Sequence, residues 1–196
     1  MRNKTIRQMT LDALFIAIIG LMVVFPQVGM ITIGPFASLT LIPIPVLIGA
    51  RLLNWQRGLV YGLAFGIGSW ILALTRAVTP TDILFQNPLT SILPRAIFGL
   101  VAGLAYALLK TIKKPSIRMA LEPFFAFALT FFHGAITLTM LCVFEPDWWP
   151  FLVPILTTNT IIEGVITFVV VPIVTLSLLR IPRITQYVSE INEKKE

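Results

Sequence analysis

One residue of this sequence conflicts chemically with its surroundings. Arg95 lies in the segment NPLTSILPRAIFG, whose other residues are apolar or only weakly polar. A guanidinium group is always charged, so its burial is costly unless an anion or several hydrogen-bond acceptors compensate it. Ser91 and Pro94 predict a helix that begins near Ser91, with the proline in its first turn. Arg95 would then lie about one turn, ~6 Å, from the start of that helix.

A second polar pair occurs in the late segment TTNTIIEG. Asn159 and Glu163 are four residues apart, which places them on one face of a helix. If this helix starts near Thr157 or Thr158, Glu163 lies at about the same depth as Arg95. Two compatible hypotheses follow: Arg95 and Glu163 form a structural ion pair that lowers the cost of burying both, or they line a cavity and hold a polar ligand.

Three further residues are weaker candidates for ligand binding. His133, the sole histidine, lies within the apolar segment FFHGAI and is either a bundle residue or a ligand contact. Trp148 is either part of the interfacial aromatic belt or a wall over a ligand. Asn87 precedes the helix of Arg95 and is expected to cap that helix or to reach the cavity. A metal site needs several converging donors, and the sequence predicts neither a metal site nor a cofactor.

The composition shows which kind of element must position these residues. Hydrophobic residues make up 57% of the 196-residue chain and charged residues 12%, about half the ~25% of a typical soluble protein. The mean hydropathy is +0.90. Charged residues are absent from several long runs, among them 13–50 and 123–144. Apolar runs of about 18 or more residues are typical of transmembrane helices, so we predict an all-α integral membrane protein.

Charged residues and helix-breaking glycines and prolines divide the chain into six predicted spans in one membrane domain. The spans lie at about 10–28, 36–53, 57–75, 91–110, 120–143 and 157–180. Thirteen of the fifteen basic residues lie on one side, in the termini, in the connectors or at the adjoining ends of the spans, and the exceptions are Arg76 and Arg95. The positive-inside rule therefore predicts cytoplasmic termini and a multi-pass protein of the cell membrane. This distribution explains the net charge of +6 without a nucleic-acid partner.

The predicted outer connectors are longer than the basic inner ones. The first contains PQVGMITIGPFASLTLIPIP, in which Gly and Pro mark turns and MITI suits a short extended piece. Irregular backbone at membrane depth must pack on protein or line a cavity. We therefore expect a binding pocket beneath the outer loops.

Other signals set limits on the function. No phosphate-binding glycine loop and no HExxH or GxSxG motif is present, so the sequence predicts a protein that is not an enzyme and takes any ATP energy from partners. Ala13 and Ala17, followed by Gly20, would let another helix approach closely. A stand-alone transporter that uses Glu163 or His133 as a proton relay is the alternative of another class.

The ordered set of segments resembles the substrate-binding S component of an energy-coupling factor (ECF) vitamin transporter. The resemblance is carried by the first helix with Ala13 and Ala17, by VGMITIGPFASLTLIPIPVLIGA, by GLVYGLAFGIGSW, by NPLTSILPRAIFGLVAGL and by NTIIEGVITFVVVP. It implies a six-helix bundle that captures a vitamin on its outer side. It also implies docking, through Ala13 and Ala17, to a transmembrane coupling subunit that carries two ATPase subunits.

The arrangement is most similar to the pantothenate-type S components. A ligand with a carboxylate would give Arg95 a partner for charge-assisted hydrogen bonds. The predicted binding residues are thus Arg95, Asn87, Asn159, Glu163, His133 and Trp148. Riboflavin, folate, a hydroxymethylpyrimidine and a queuosine precursor remain open as substrates.

Overall fold

The computed structural model describes residues 2–32, 38–77, 80–182, 184–186 and 188, and these residues are almost entirely helical. Nine α-helices are described: α1 (Arg2–Val24), α2 (Pro26–Gly29), α3 (Pro43–Leu52), α4 (Trp55–Thr75), α5 (Pro80–Leu84), α6 (Pro88–Lys110), α7 (Pro115–Phe144), α8 (Trp149–Ile155) and α9 (Ile161–Leu179). A 3-10 turn (Pro146–Trp148) precedes α8, and a π-helical segment (Leu156–Thr160) joins α8 to α9.

Four helical segments of the described residues are long and apolar enough to cross a membrane: α4, α6, α7 and the continuous stretch Pro146–Leu179. The apolar parts of α1 (Gln8–Val24) and α3 are shorter. The predicted all-α membrane class is confirmed. The helix predicted from about residue 36 begins instead at Pro43, because a hairpin uses the preceding residues.

The hairpin consists of two short antiparallel strands, β1 (Met30–Thr32) and β2 (Ser38–Thr40), with Met30 opposite Thr40. The extended piece predicted at MITI is therefore present as β1. The strand pairing satisfies backbone groups that could not otherwise be placed near a membrane core. Residues 33–37, which connect the strands, lie outside the described part of the chain.

Glycines set the distance between α4 and α6. Gly58, Gly62 and Gly66 are spaced four residues apart on α4, and they face Gly99 and neighbouring backbone of α6. A Cβ built on Gly62 would lie 2.9 Å from the Cα of Gly99, which is closer than the Cβ atom of a real side chain approaches a neighbouring heavy atom. The two backbones are thus in direct contact along this seam, as small residues permit between membrane helices. Large apolar side chains beside the seam, including Tyr61, Phe65, Phe98 and Tyr106, form the buried core.

The helices run antiparallel to their sequence neighbours in the bundle. Phe98 on α6 contacts His133 on α7, and further along Tyr106 contacts Phe125. Consequently the starts of α6 and α9 and the hairpin lie at one end of the bundle, here named the hairpin end. At the opposite end Lys110 Nζ donates to the carbonyl of Leu53, at 2.9 Å.

Two ion-pair networks at that opposite end were missed by the sequence analysis. Arg51, counted there only among the basic residues of one side, is in the last turn of α3 and buried. Its Nη2 donates to Glu122 Oε2 at 3.2 Å and its Nε lies 3.1 Å from Glu122 Oε1. Oε1 accepts from Thr175 Oγ1 at 2.6 Å. In the second network Asp12 binds Arg57 at 2.8 Å and the Tyr61 hydroxyl at 2.7 Å. These charges tie α3 to α7 and α9, and α1 to α4.

Candidate functional site

Arg95 lies deeper in its helix than the sequence suggested. Helix α6 begins at Pro88, with the Asn87 side chain accepting from the N–H of Leu89 at 3.0 Å. The predicted start at Ser91 is therefore one turn late, because Asn87 rather than Ser91 is the cap. Arg95 is seven residues from Pro88, about 10 Å along the axis, and its side chain is buried.

The guanidinium of Arg95 is held by carbonyl groups and aromatic faces. Nη1 donates to the carbonyl of Ser91 at 2.7 Å and makes a longer contact, 3.5 Å, with that of Thr90. The Thr90 carbonyl has no intrahelical donor, because Pro94 lacks an N–H. The guanidinium carbon also lies 4.9 Å from the ring centroids of Phe65 and Phe85, a cation–π geometry. Nε has no hydrogen-bond partner.

Glu163 is buried at the start of α9, but it does not form the predicted ion pair. Its Oε1 accepts from the backbone N–H of Thr40 in β2, at 2.5 Å. Within the described residues no contact of 4.0 Å or less joins Arg95 to Glu163. The direct pairing was a wrong prediction, because the guanidinium turns back along α6 and the carboxylate is engaged by the hairpin. The two charges remain near enough for a Coulombic interaction.

His133 lies beside Arg95, in the middle of α7. Its ring centroid is 5.5 Å from that of Phe65 and 4.8 Å from that of Phe98. Phe65 therefore contacts both His133 and Arg95. The imidazole is buried, and neither of its nitrogens has a hydrogen-bond partner. The structure thus brings two of the predicted residues together around one aromatic wall.

The other predicted residues occupy different surroundings. Asn159 is buried in the π-helical segment, one turn before Glu163; π segments are frequent at functional sites. Trp148 is half-buried, and its ring lies 5.6 Å from that of Phe151. In the described part of the chain no hydrogen bond or ring contact joins Asn87 or Trp148 to Arg95, His133 or Glu163. The roles of these two residues in ligand binding stay predictions.

Two hydroxyl groups near Arg95 and His133 were not among the sequence candidates. The Oγ of Ser91 and the Oγ1 of Thr137 are buried and have no hydrogen-bond partner. Their four-residue spacing from Arg95 and His133 was a signal in the sequence, since residues four apart share a helix face. The site therefore offers one permanent cation and several unpaired donors and acceptors. Among the described residues no group of three His, Cys, Asp or Glu could hold a metal ion.

Ala13 and Ala17 lie on the exposed face of α1. The opposite face buries Phe15, Ile19 and Val23 against the bundle. A Cβ built on Gly20 would meet no atom within 4 Å. This face of small residues is therefore open in the described structure.

Comparison with known proteins connects the site to a family. The family model of the ECF transporter, substrate-specific component, matches residues 7–175. The chain is 33% identical over 109 residues to "Pantothenate transporter PanT" of Leuconostoc mesenteroides subsp. mesenteroides, covering 54% of this chain and 53% of that protein. It is 36% identical over 87 residues to "Pantothenic acid transporter PanT" of Lactococcus lactis subsp. cremoris, covering 44% and 43%. The chain thus matches about half the length of these curated relatives.

The family match extends from α1 into α9 and includes every candidate site residue named above. The resemblance noted in the sequence is thereby confirmed. The chain belongs to the family of substrate-specific components of ECF transporters.

Proposed function

We propose that this protein captures pantothenate from the outer side of the cell membrane and delivers it inward. The names of the two relatives support pantothenate as the substrate. The observation that carries the proposal is the state of Arg95: it is buried, its Nε is unpaired and no carboxylate of the described residues contacts it. A buried cation without a bound anion is costly, and the carboxylate of pantothenate would supply that anion.

The surroundings of Arg95 suit a carboxylate ligand. Phe65 and Phe85 exclude water from the guanidinium, which strengthens a charge-assisted hydrogen bond formed there. Nη1 is already engaged with the backbone of α6, so Nε and the remaining amino group are the donors left for the ligand. His133, on the facing helix, adds an imidazole N–H donor beside them.

The orientation of the site supports capture from outside. The connectors rich in Lys and Arg lie at the end opposite the hairpin, where Lys110 meets Leu53. By the positive-inside rule this end is cytoplasmic, so both termini face the cytoplasm if the chain crosses the membrane six times. The hairpin end, with Arg95 about two turns below it, then faces outward.

The proposed transport step requires partners. We expect a transmembrane coupling subunit to dock on Ala13 and Ala17 and to carry two ATPase subunits, because the chain has no phosphate-binding glycine loop of its own. The exposed face of α1 supports this docking site. In this scheme the chain is a binding subunit rather than an enzyme.

A panel of vitamins tests the proposal on the purified protein. Riboflavin, folate, a hydroxymethylpyrimidine, a queuosine precursor and pantothenate are each added, and the thermal midpoint and the calorimetric Kd are measured. We expect stabilisation and tight binding with pantothenate alone. Stabilisation by another vitamin instead would assign that vitamin as the substrate. Binding of none of them would contradict the proposal. Uptake into liposomes by this chain alone, driven by a pH gradient, would favour a stand-alone transporter.

A further inference from the structure

Most Ser and Thr hydroxyl groups with described hydrogen bonds in this bundle donate to a backbone carbonyl of their own helix. The buried threonines 130, 167 and 175 donate to carbonyls three or four residues earlier, at 2.9 to 3.0 Å. This back-bonding is the usual solution for Ser and Thr inside helices. Ser91 and Thr137 depart from it, since their hydroxyls have no partner although both side chains are buried.

The two unpaired hydroxyls belong to one place in the fold. Ser91 lies one turn before Arg95 on α6, and Thr137 lies one turn after His133 on α7. Because α6 and α7 are antiparallel and meet through Phe98 and His133 at 4.8 Å, both turns lead toward the hairpin end. With Phe98 and His133 at one level, Thr137 lies near the level of Pro94, and Ser91 lies three residues, about 4–5 Å, nearer to the hairpin. The third unpaired buried hydroxyl of the described residues, Tyr106 Oη, is on the far part of α6.

Leaving these hydroxyls unpaired costs free energy that alanine or valine would avoid. A buried polar group without a hydrogen bond is destabilising, and the backbone carbonyls one turn away offer a partner that neither residue uses. A fold-stabilising role therefore does not explain them. A hydroxyl can both donate and accept, which matches alcohol and amide groups of a ligand.

We infer that Ser91 and Thr137 form a second recognition position, which lies beside Arg95 and on its hairpin side and binds hydroxyl or amide groups of the ligand. The inference rests on the proposed function and adds an orientation to it. Pantothenate carries its hydroxyl groups at the end away from the carboxylate. It would thus bind with its carboxylate inward at Arg95 and its hydroxyl groups toward the hairpin.

The consequence of this position is selectivity. A site built to hydrogen-bond a ligand hydroxyl rejects the analogue that lacks it, because the protein groups are then left unpaired again. Selection among carboxylate ligands would follow from Ser91 and Thr137, whereas Arg95 selects for the carboxylate itself.

The test compares pantothenate with an analogue in which both hydroxyls are replaced by hydrogen. Calorimetric Kd values are measured for the full chain and for Ser91→Ala, Thr137→Val and their double variant. We expect the full chain to prefer pantothenate by at least tenfold, and the double variant to bind the two ligands within about threefold of each other. Thr137→Ser and Ser91→Thr, which keep a hydroxyl, should retain most of the preference for pantothenate over the analogue.

Thr130→Val is the matched control, since Thr130 is on the same helix and its hydroxyl is satisfied by the carbonyl of Ala126 and by Thr167. We expect its ligand preference to equal that of the full chain, while its thermal midpoint falls. Ser91→Ala and Thr137→Val should instead leave the midpoint of the ligand-free protein unchanged or raise it, which a purely structural role would not do. An unaltered preference in the double variant would overturn the inference while leaving the proposed function intact. Failure of the full chain to bind pantothenate would overturn the proposed function and this inference with it.

Discussion

The backbone N–H of Thr40 donates to Glu163 Oε1 at 2.5 Å and so joins the hairpin to the start of α9. The two residues are 123 positions apart in the chain. A carboxylate that accepts from a backbone N–H makes a charge-assisted hydrogen bond, which is stronger than a neutral one. The hairpin is thereby held at the end of the bundle through which, in the proposed function, the ligand reaches Arg95.

Removing this acceptor should loosen the hairpin. For Glu163→Ala we expect faster hydrogen exchange at the Thr40 amide and faster dissociation of pantothenate, measured by exchange mass spectrometry and stopped-flow fluorescence. Glu163→Gln is the control, because its amide oxygen can still accept the bond. Equal dissociation rates in the alanine variant and the full chain would show that the contact does not retain the ligand.

The role of Arg95 can be separated into binding and stability. Arg95→Ala should weaken pantothenate binding by about 1.5–3 kcal/mol, the range for a hydrogen bond to a charged group. Arg95→Lys should recover only part of this loss, because lysine lacks the planar fork of donors. Calorimetry measures both variants. Unchanged affinity together with a lower thermal midpoint would assign Arg95 to the structure alone.

The Arg51–Glu122 pair predicts a stability effect without a binding effect. Glu122→Leu leaves Arg51 buried without its partner and should destabilise the protein by about 3–5 kcal/mol. The double variant Arg51→Met with Glu122→Leu should recover much of that loss, since replacing both charges by apolar groups is often tolerated. Thermal unfolding in detergent measures the series, and a double variant as unstable as the single one would contradict the explanation.

The glycine seam predicts a sharp dependence on side-chain size. Gly62→Ala and Gly99→Ala add a Cβ that overlaps the facing helix, at 2.8 to 2.9 Å from the opposing Cα atoms, and both should lower the thermal midpoint. Gly20→Ala is the matched control, because its Cβ would meet nothing within 4 Å. A midpoint for Gly62→Ala equal to that of Gly20→Ala would show that the seam can open without cost.

The docking assignment predicts a separation of binding from transport. Ala13→Trp or Ala17→Trp should leave the Kd for pantothenate unchanged, because both residues lie on the exposed face of α1, which points away from the bundle. The same variants should abolish uptake when the chain is reconstituted with its coupling and ATPase subunits. Leu14→Trp, at an exposed position between the two alanines, shows whether a bulky residue anywhere on α1 has the same effect. Normal uptake by the alanine variants would refute the assignment.

The sequence predicted α4, α6, α7 and α9 well because each one is a long apolar run, and hydropathy alone identifies such runs. The short helices α2, α5 and α8 were not predicted, because none of them is such a run. The depth of Arg95 was set one turn too shallow, since Ser91 and Asn87 are both good cap residues and only the structure shows which one caps α6. The partner of Glu163 could not be predicted, because Thr40 contributes a backbone group from a distant segment. Arg51 and Glu122 were missed because Arg51 was counted only as a topology signal and Glu122, at the start of a predicted span, was not considered as its partner.

The contact between α4 and α6 has a mechanical consequence. No side chain separates these two backbones along the seam, so neither helix can slide past the other without a collision of main-chain atoms. They should respond to force as a single stiff plate that carries Phe65 and Arg95 together. The facing helix α7 meets this plate through side chains, among them His133 against Phe65 and Phe98, and side chains can change rotamer. Any change of shape during capture and release is therefore expected on that compliant side, around His133 and Thr137.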